Sequence, residues 1–260
     1  MTAFDPRAQS QARFSRYASA YVESAIHAGG DDLDRLLALA APQHSDLACD
    51  VATGGGHTAL KIAPHVRRVI ALDLAAPMLG EARAFIGSRQ QSNIVFVNAE
   101  AGHLPFASAS LDLITCRIAP HHFPSVDDFV DECARVLKPG GRLIVQDQVV
   151  PDDPRVARYL EAFERLRDPS HHRAYAAYQW EGMFLNAGLR VTALEAARKR
   201  TLLLTWAQTQ QCSPDVIERL QIMLVQAPDA VAEQIQPRCA GRPDASFEHV
   251  YVLIAGEKPS

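Results

Sequence analysis

Asp46-Leu47-Ala48-Cys49-Asp50-Val51-Ala52-Thr53-Gly54-Gly55-Gly56-His57 is the stretch on which the fold turns. An apolar run interrupted by one acid gives way to three consecutive glycines. The run from Asp46 to Ala52 reads as a short buried strand, Thr53 to Gly56 as a turn, and His57 to Ala63 as a helix. Glycines let the backbone turn sharply and approach a ligand without a Cβ in the way. The helix that follows aims its free N–H groups at whatever lies beyond the strand.

The pattern repeats on the C-terminal side. Arg68 to Asp73 is a second strand and Pro77 to Ile86 a helix. Asn93 to Asn98 and Leu111 to Cys116 are strands, Asp127 to Leu137 is a helix, and Arg142 to Asp147 is a fifth strand. Apolar strands alternating with helices imply a parallel sheet covered on both faces. On the N-terminal side the first forty residues read as helical. Phe14, Tyr17, Tyr21 and Ala25, then Leu33, Leu36, Leu37 and Leu39, recur at helix spacing around a break at Gly29-Gly30-Asp31. Asp31 or Asp32 is the expected N-cap of the second helix.

Beyond residue 152 the chain is mostly helical to 187, with a polar break at Asp168-Pro169-Ser170. Leu189 to Leu194 reads as a strand, 205–240 as helical again, and Phe247 to Ile254 as a closing strand. The organisation expected is one sheet domain over residues 1–260. Residues 1–44 form an N-terminal helical lid, 45–150 the ligand-binding core, and 151–187 and 197–245 helical insertions capping the substrate side.

Composition is that of a globular chain with a sizeable core, with 260 residues, 48% hydrophobic and 22% charged. Twenty-six basic against 30 acidic residues leave a net charge of −4, a poor balance for gripping a phosphate backbone. No apolar run approaches the roughly 20 residues of a membrane helix, so membrane insertion is not expected. The N-terminus shows no secretory pattern. The five cysteines (49, 116, 133, 212, 239) are scattered without a CxxC, which points to free thiols in the cytoplasm.

In an open α/β sheet, ligands sit beyond the carboxyl ends of the strands. Asp73 ends strand two about twenty residues after Asp50, where a carboxylate can accept both hydroxyls of an adenosine ribose. Gly54-Gly55-Gly56-His57-Thr58-Ala59 also satisfies GxGxxA, the fingerprint of a dinucleotide-dependent oxidoreductase. Three features separate the two. Asp50, at the end of strand one, would crowd a pyrophosphate but suits a ligand carrying an ammonium group. Asn98-Ala99-Glu100 puts polar groups within reach of an adenine edge. Val136-Leu137-Lys138-Pro139-Gly140-Gly141-Arg142-Leu143 is a sharp helix stop leading into strand five.

Four motifs in order and spacing resemble a class I S-adenosylmethionine-dependent methyltransferase. They are Asp50-x-Ala52-Thr53-Gly54-x-Gly56, the acid Asp73, Asn98-Ala99-Glu100-x-x-x-Leu104-Pro105-Phe106, and Leu137-Lys138-Pro139-Gly140-Gly141-Arg142-Leu143. More narrowly, residues 45–150 resemble the ubiquinone/menaquinone-biosynthesis-type (type 11) small-molecule methyltransferases. Arg117-Ile118-Ala119-Pro120-His121-His122-Phe123 and Leu166-Arg167-Asp168-Pro169-Ser170-His171 are similar to segments of uncharacterised members. The resemblance implies a Rossmann-like, seven-stranded, mostly parallel sheet whose last strand, Phe247 to Ile254, is antiparallel. It implies S-adenosyl-L-methionine as cofactor and S-adenosyl-L-homocysteine as product. Asp50 would take the amino group, Ala52, Thr53, Gly54 and Gly56 would form the cofactor turn, and Asp73 would hold the ribose diol. Leu74 and Met78 would pack the adenine, Asn98, Ala99 and Glu100 would meet its edge, and Cys116 and Arg117 would line the methionine side. The family often has glycine at the position of Ala52.

Methyl transfer is an in-line displacement, so the protein must chiefly hold the nucleophile on line and about 3 Å away. His121 and His122 follow strand four, where the methyl would lie, and are the candidate general bases. Adjacent side chains in a loop diverge, so one of the two is expected to act. Arg117 either orients an anionic substrate or pairs with an internal carboxylate. Phe14, Tyr17, Tyr21, His171, Tyr175 and Tyr178 are candidates for the acceptor pocket, aromatic faces being suited to a sulfonium. The histidine pairs lack helical metal-ligand spacing, so no metal is expected. No Asn-Pro-Pro-Tyr or Pro-Cys follows strand four, against a DNA-modifying enzyme. The partner expected is a small-molecule methyl acceptor, with the chain a monomer or homodimer. A cofactor-binding protein without catalysis is the remaining alternative.

Overall fold

The computed structural model describes residues 5–16 and 30–260. Two helices, α1 (Pro6–Arg16) and α2 (Asp31–Ala40), precede the alternating core. The core runs β1 (Leu47–Val51), α3 (His57–Ile62), β2 (Arg68–Asp73), α4 (Ala76–Ser88), β3 (Ile94–Asn98), β4 (Leu111–Arg117), α5 (Val126–Val136) and β5 (Leu137–Gln148). The remainder is α6 (Pro154–Arg167), α7 (Ala177–Asn186), β6 (Arg190–Leu202), α8 (Leu203–Thr209), α9 (Pro214–Val225), α10 (Asp229–Ile235) and β7 (Ser246–Glu257).

The seven strands form one sheet in the order β3-β2-β1-β4-β5-β7-β6. β3, β2, β1, β4 and β5 are parallel, and β7 is antiparallel to both β5 and β6. The strand order reverses between β1 and β4, which opens a crevice at their carboxyl ends. Successive side chains on a strand face opposite ways, so both faces must be buried. Cys49 and Val51 accordingly join a core with Phe129 and Val130 of α5 and Trp180 and Phe184 of α7. Ala48 points the other way, into a second core with Leu36 of α2 and Ile62 of α3. A third core ties α6 (Val156, Phe163) to α8–α10 through Trp206, Leu220, Leu224 and Ile235, and rests on Phe247 of β7. α6, which precedes β6, and α8–α10, which connect β6 to β7, thus share one core.

Local readings differ from the structure in three places. β6 extends to Leu202 rather than Leu194, because it pairs with β7 along its length, from Arg190↔Glu257 to Leu202↔Ser246. Its charged Arg198-Lys199-Arg200 masks a strand that only pairing with β7 reveals. β5 begins at Leu137, with the Gly140 turn (φ +75°) inside it. Main-chain bonds between the turn and Lys258 hold it there, from Gly140 N–H to the Lys258 carbonyl and from Lys258 N–H to the Gly141 carbonyl. The N-cap of α2 is Gly30 (φ +139°), not Asp31 or Asp32. The Asp32 carboxylate goes instead to Arg117. No helix among the described residues is long and apolar enough to cross a membrane.

Candidate active site

Parallel register brings polar pairs together at the carboxyl ends of the strands. Asp50 of β1 lies opposite Thr115 of β4, Asp73 of β2 opposite Asn98 of β3, and Arg117 of β4 opposite Gln146 of β5. Around these ends runs a cavity lined by Asp50, Ala52, Thr53, Gly54, Asp73, Leu74, Met78, Ala99, Glu100, Arg117 and His122, and roofed by Phe14 of α1.

Asp50 is buried and accepts hydrogen bonds from the hydroxyls of Thr53 and Thr115, both at 2.7 Å. Burial pushes its carboxyl up to about 6, against the pull of those hydroxyls and of Arg117. A buried carboxylate held by neutral donors favours a cationic ligand group. Asp73 is also raised by burial, and it accepts the Gly54 N–H at 3.0 Å and the Ala75 N–H at 2.9 Å. It therefore welds the loop after β2 to the glycine turn. Gly54 has φ +53°, and nothing lies within 4 Å of where a Cβ would stand, so the backbone here faces open cavity. The turn, the paired acids and this open approach fit a cofactor with an ammonium group at one end and a ribose at the other.

Ala52 adopts φ +53°, the left-handed region that explains why glycine suits this position. Gly56 (φ +84°) does not line the cavity, and a Cβ there would meet Ile86 Cδ1 at 2.7 Å, so its smallness lets the turn before α3 pack against α4. Asn98 donates to the carbonyls of Asp73 (2.8 Å) and Leu74 (2.9 Å), and shapes the loop rather than lining the cavity. Cys116 is fully buried in the core beneath the site. Met78 packs with Ala75 and Phe14 while lining the cavity. Arg117 donates to Gln146 (3.1 Å) and to Asp32 (2.8 Å), so it both faces the cavity and pairs with an internal carboxylate.

The two histidines diverge. His121 Nδ1 meets Asp147 Oδ1 at 2.6 Å, and its main-chain N–H donates to Asp147 Oδ2 at 2.8 Å. Burial alone would lower its pKa, but Asp147 outweighs burial and raises it. His121 is absent from the cavity wall; His122 is part of it. His122 Nδ1 contacts the Ser170 carbonyl at 3.0 Å, and Phe14 stands edge-on to the ring at 4.8 Å. Burial, with the neighbouring His121, pushes the His122 pKa down to about 3. Between β4 and this turn, Ile118 holds φ +53°, a strained conformation for a β-branched residue on a cavity wall.

His171 is buried beside Gln148 (3.0 Å) and Glu161 (3.2 Å), and Tyr175 packs on Trp180; neither lines the cavity. Tyr178 is 60% exposed and also apart from it. Tyr17 and Tyr21 lie outside the described residues. The structure adds Arg7, Ser10 and Gln11 to the cavity wall. Their spacing with Phe14 is one face of a helix, a signal the aromatic residues eclipsed. It also adds His57 and Asp128, at helix starts, which no spacing singles out.

A seven-stranded sheet with one reversed strand, a glycine turn and an acid closing each of the first two strands defines a Rossmann-like transferase of the methyl-transferring class. The methyltransferase domain family matches residues 49–145. The chain is 37% identical over 171 residues to the uncharacterised methyltransferase YcgJ of Bacillus subtilis, covering 66% of this chain and 68% of that one. The solved structure of YcgJ superposes with a TM-score of 0.84, covering 88% of this chain and 98% of that one. A ubiquinone/menaquinone biosynthesis C-methyltransferase of Rhizobium leguminosarum is 36% identical over 129 residues, 48% of this chain and 50% of that one. The chain belongs to the type 11 methyltransferase family and is an S-adenosylmethionine-dependent methyltransferase. The oxidoreductase alternative is not favoured.

Proposed function

We propose that the chain transfers the methyl group of S-adenosyl-L-methionine to an oxygen, nitrogen or carbon nucleophile of a small organic acceptor, aromatic or quinone-like, releasing S-adenosyl-L-homocysteine. The cofactor supplies a methyl already activated on a sulfonium. Asp50 holds the ammonium end, Asp73 the ribose hydroxyls, and Leu74, Met78, Ala99 and Glu100 the adenine. Arg117, steadied by Asp32 and Gln146, faces the carboxylate end. α1 serves as the lid, through Phe14, and α6 with α8–α10 as the acceptor-side cap.

His122 is the imidazole that faces the nucleophile. In its neutral form it accepts a hydrogen bond from the acceptor's O–H or N–H and orients the lone pair, without placing a second positive charge beside the sulfonium. The five free cysteines suit a reducing cytoplasm. The observation that carries the reading is the buried Asp50 carboxylate beside the open face of Gly54. Calorimetric titration with S-adenosyl-L-homocysteine and, separately, NADH tests it. Micromolar binding of the first and none of the second is expected; the reverse would overturn the assignment.

A further inference from the structure

The Arg167-Asp168-Pro169-Ser170-His171 turn contributes no residue to the cofactor cavity, yet it meets the site from behind. Asp168 is 2% exposed. One carboxylate oxygen accepts the Ser170 N–H at 2.9 Å and the Ser170 hydroxyl at 2.6 Å. The other accepts the Gln210 amide at 2.8 Å, from the end of α8. Arg13 of α1 reaches the same carboxylate at 2.9 Å and also donates to Gln210 Oε1. The lid, the cap and the turn meet on one buried anion.

That anion sets the direction of a hydrogen-bond chain. Burial would raise the Asp168 pKa, but Arg13, the Ser170 hydrogen bond and Arg167 oppose it and hold the carboxyl below its usual range, so the group is ionised at working pH while His122 is neutral. An ionised carboxylate only accepts, so the Ser170 hydroxyl spends its proton on Asp168. The Ser170 carbonyl can also only accept. Both Ser170 oxygens near His122 Nδ1, the carbonyl at 3.0 Å and the hydroxyl at 3.3 Å, are therefore acceptors towards it. The proton must sit on Nδ1, which leaves the lone pair on Nε2. α1 meets the same residue, with the Ser10 hydroxyl directed to the His122 main-chain carbonyl and Phe14 against the ring.

We propose that Asp168 is a positioning residue: through Ser170 it fixes the Nδ1–H tautomer of His122, and through Arg13 it ties that tautomer to the seating of α1 over the cofactor cavity. The inference rests on the reading that His122 faces the methyl acceptor. It gives the Asp-Pro-Ser-His turn its role, namely to make closure of the lid and presentation of an accepting nitrogen one event. With the tautomer reversed, Nε2 would present a proton to the acceptor and no lone pair to receive one.

The test uses full-length protein labelled with [15N]histidine. Two-bond proton–nitrogen correlation spectra report the tautomer of each of the ten imidazoles, and loss of a signal in His122→Gln assigns His122. Wild type is expected to show His122 in the Nδ1–H form alone. Asp168→Ala should mix the tautomers and speed amide exchange across residues 6–16. Arg13→Gln should keep the tautomer and speed that exchange at least about tenfold, the consequence of removing a largely buried ion pair. Asp168→Asn, which still accepts from Ser170, should restore the tautomer but not the slow exchange. If Asp168→Ala unfolds, Asp168→Ser carries the tautomer arm, since its hydroxyl can donate to Ser170 and so free the Ser170 hydroxyl to donate to Nδ1. An unchanged single tautomer in the variant that folds, or unchanged α1 exchange in Arg13→Gln, overturns the proposal. S-adenosyl-L-homocysteine binding is measured alongside. Loss of binding by wild type would sink the functional reading while leaving the tautomer result standing, whereas binding with an unmoved tautomer sinks this inference alone.

Discussion

Replacing Asp50 by Asn should make the cofactor-free protein more stable and the cofactor complex weaker. Asn keeps the size of Asp50 and accepts from one of its two hydroxyls while its amide donates to the other, and it removes a charge that burial opposes. A carboxyl that titrates near 6 rather than its usual 3.8 is about 3 kcal/mol harder to keep ionised in the fold than in the unfolded chain. The sign follows from proton binding. Between those two values the folded state holds the proton that the unfolded state has lost, so wild type loses stability as pH rises from about 4 to 6. The gap between Asp50→Asn and wild type should be about 3 kcal/mol at pH 8 and shrink to about 0.6 kcal/mol at pH 4. For a chain of this size, 3 kcal/mol corresponds to a Tm increase of about 6–12 °C. The assay is thermal unfolding of both proteins from pH 4 to 8, with S-adenosyl-L-homocysteine titrations at pH 8. Affinity should fall by about 10- to 150-fold, the loss of one charge-assisted hydrogen bond. A variant no more stable than wild type at pH 8, or a gap that ignores pH, would show that Asp50 is not a strained buried anion.

Three further outcomes are expected. Asp73→Ala should weaken S-adenosyl-L-homocysteine by about 1–3 kcal/mol in calorimetry, since the ribose hydroxyls lose their charged acceptor; near-wild-type affinity would remove Asp73 from the site. Ala52→Gly should raise stability by about 0.5–1 kcal/mol in denaturant unfolding, because Ala52 sits at φ +53°; a loss would mean its methyl contacts outweigh the strain. His122, held near 3, is neutral in the fold but protonates at its ordinary 6.5 in the unfolded chain. Its contribution is present above pH 6.5 and lost as pH falls, by up to about 1.4 kcal/mol per pH unit. His122→Gln should therefore lose less stability than wild type between pH 7 and 5, and parallel curves would contradict the neutral imidazole.

The strand–turn–helix succession and the cavity-lining residues that follow the first strands were legible because each depends on residues close together in the chain. The Asp50-to-Gly56 stretch carries its own apolar run, its own turn chemistry and its own helix start. Asp73 and Ala99-Glu100 are legible for the same reason, since the carboxyl ends of the parallel strands, and the loops that leave them, border one crevice. Asn98 shows the limit. Its type and position suit an adenine edge, but its amide is taken by two carbonyls of the loop after β2. β6 shows another, because the half of it that carries Arg198-Lys199-Arg200 is a strand only by virtue of pairing with β7.

The sequence by itself determined the sheet, the family and the acids that close the first two strands, because local periodicity and turn chemistry act over a few residues. Only the tertiary structure decided which of two adjacent histidines faces the cavity, since that depends on the turn at 120–122 and on Asp147 reaching it from β5. Only it joined Arg13 to Asp168 and Asp32 to Arg117, pairs far apart in the chain. A charge in a sequence names no partner. The partner is chosen when packing removes water from around the charge, and the side chains left within reach are those the fold has brought there.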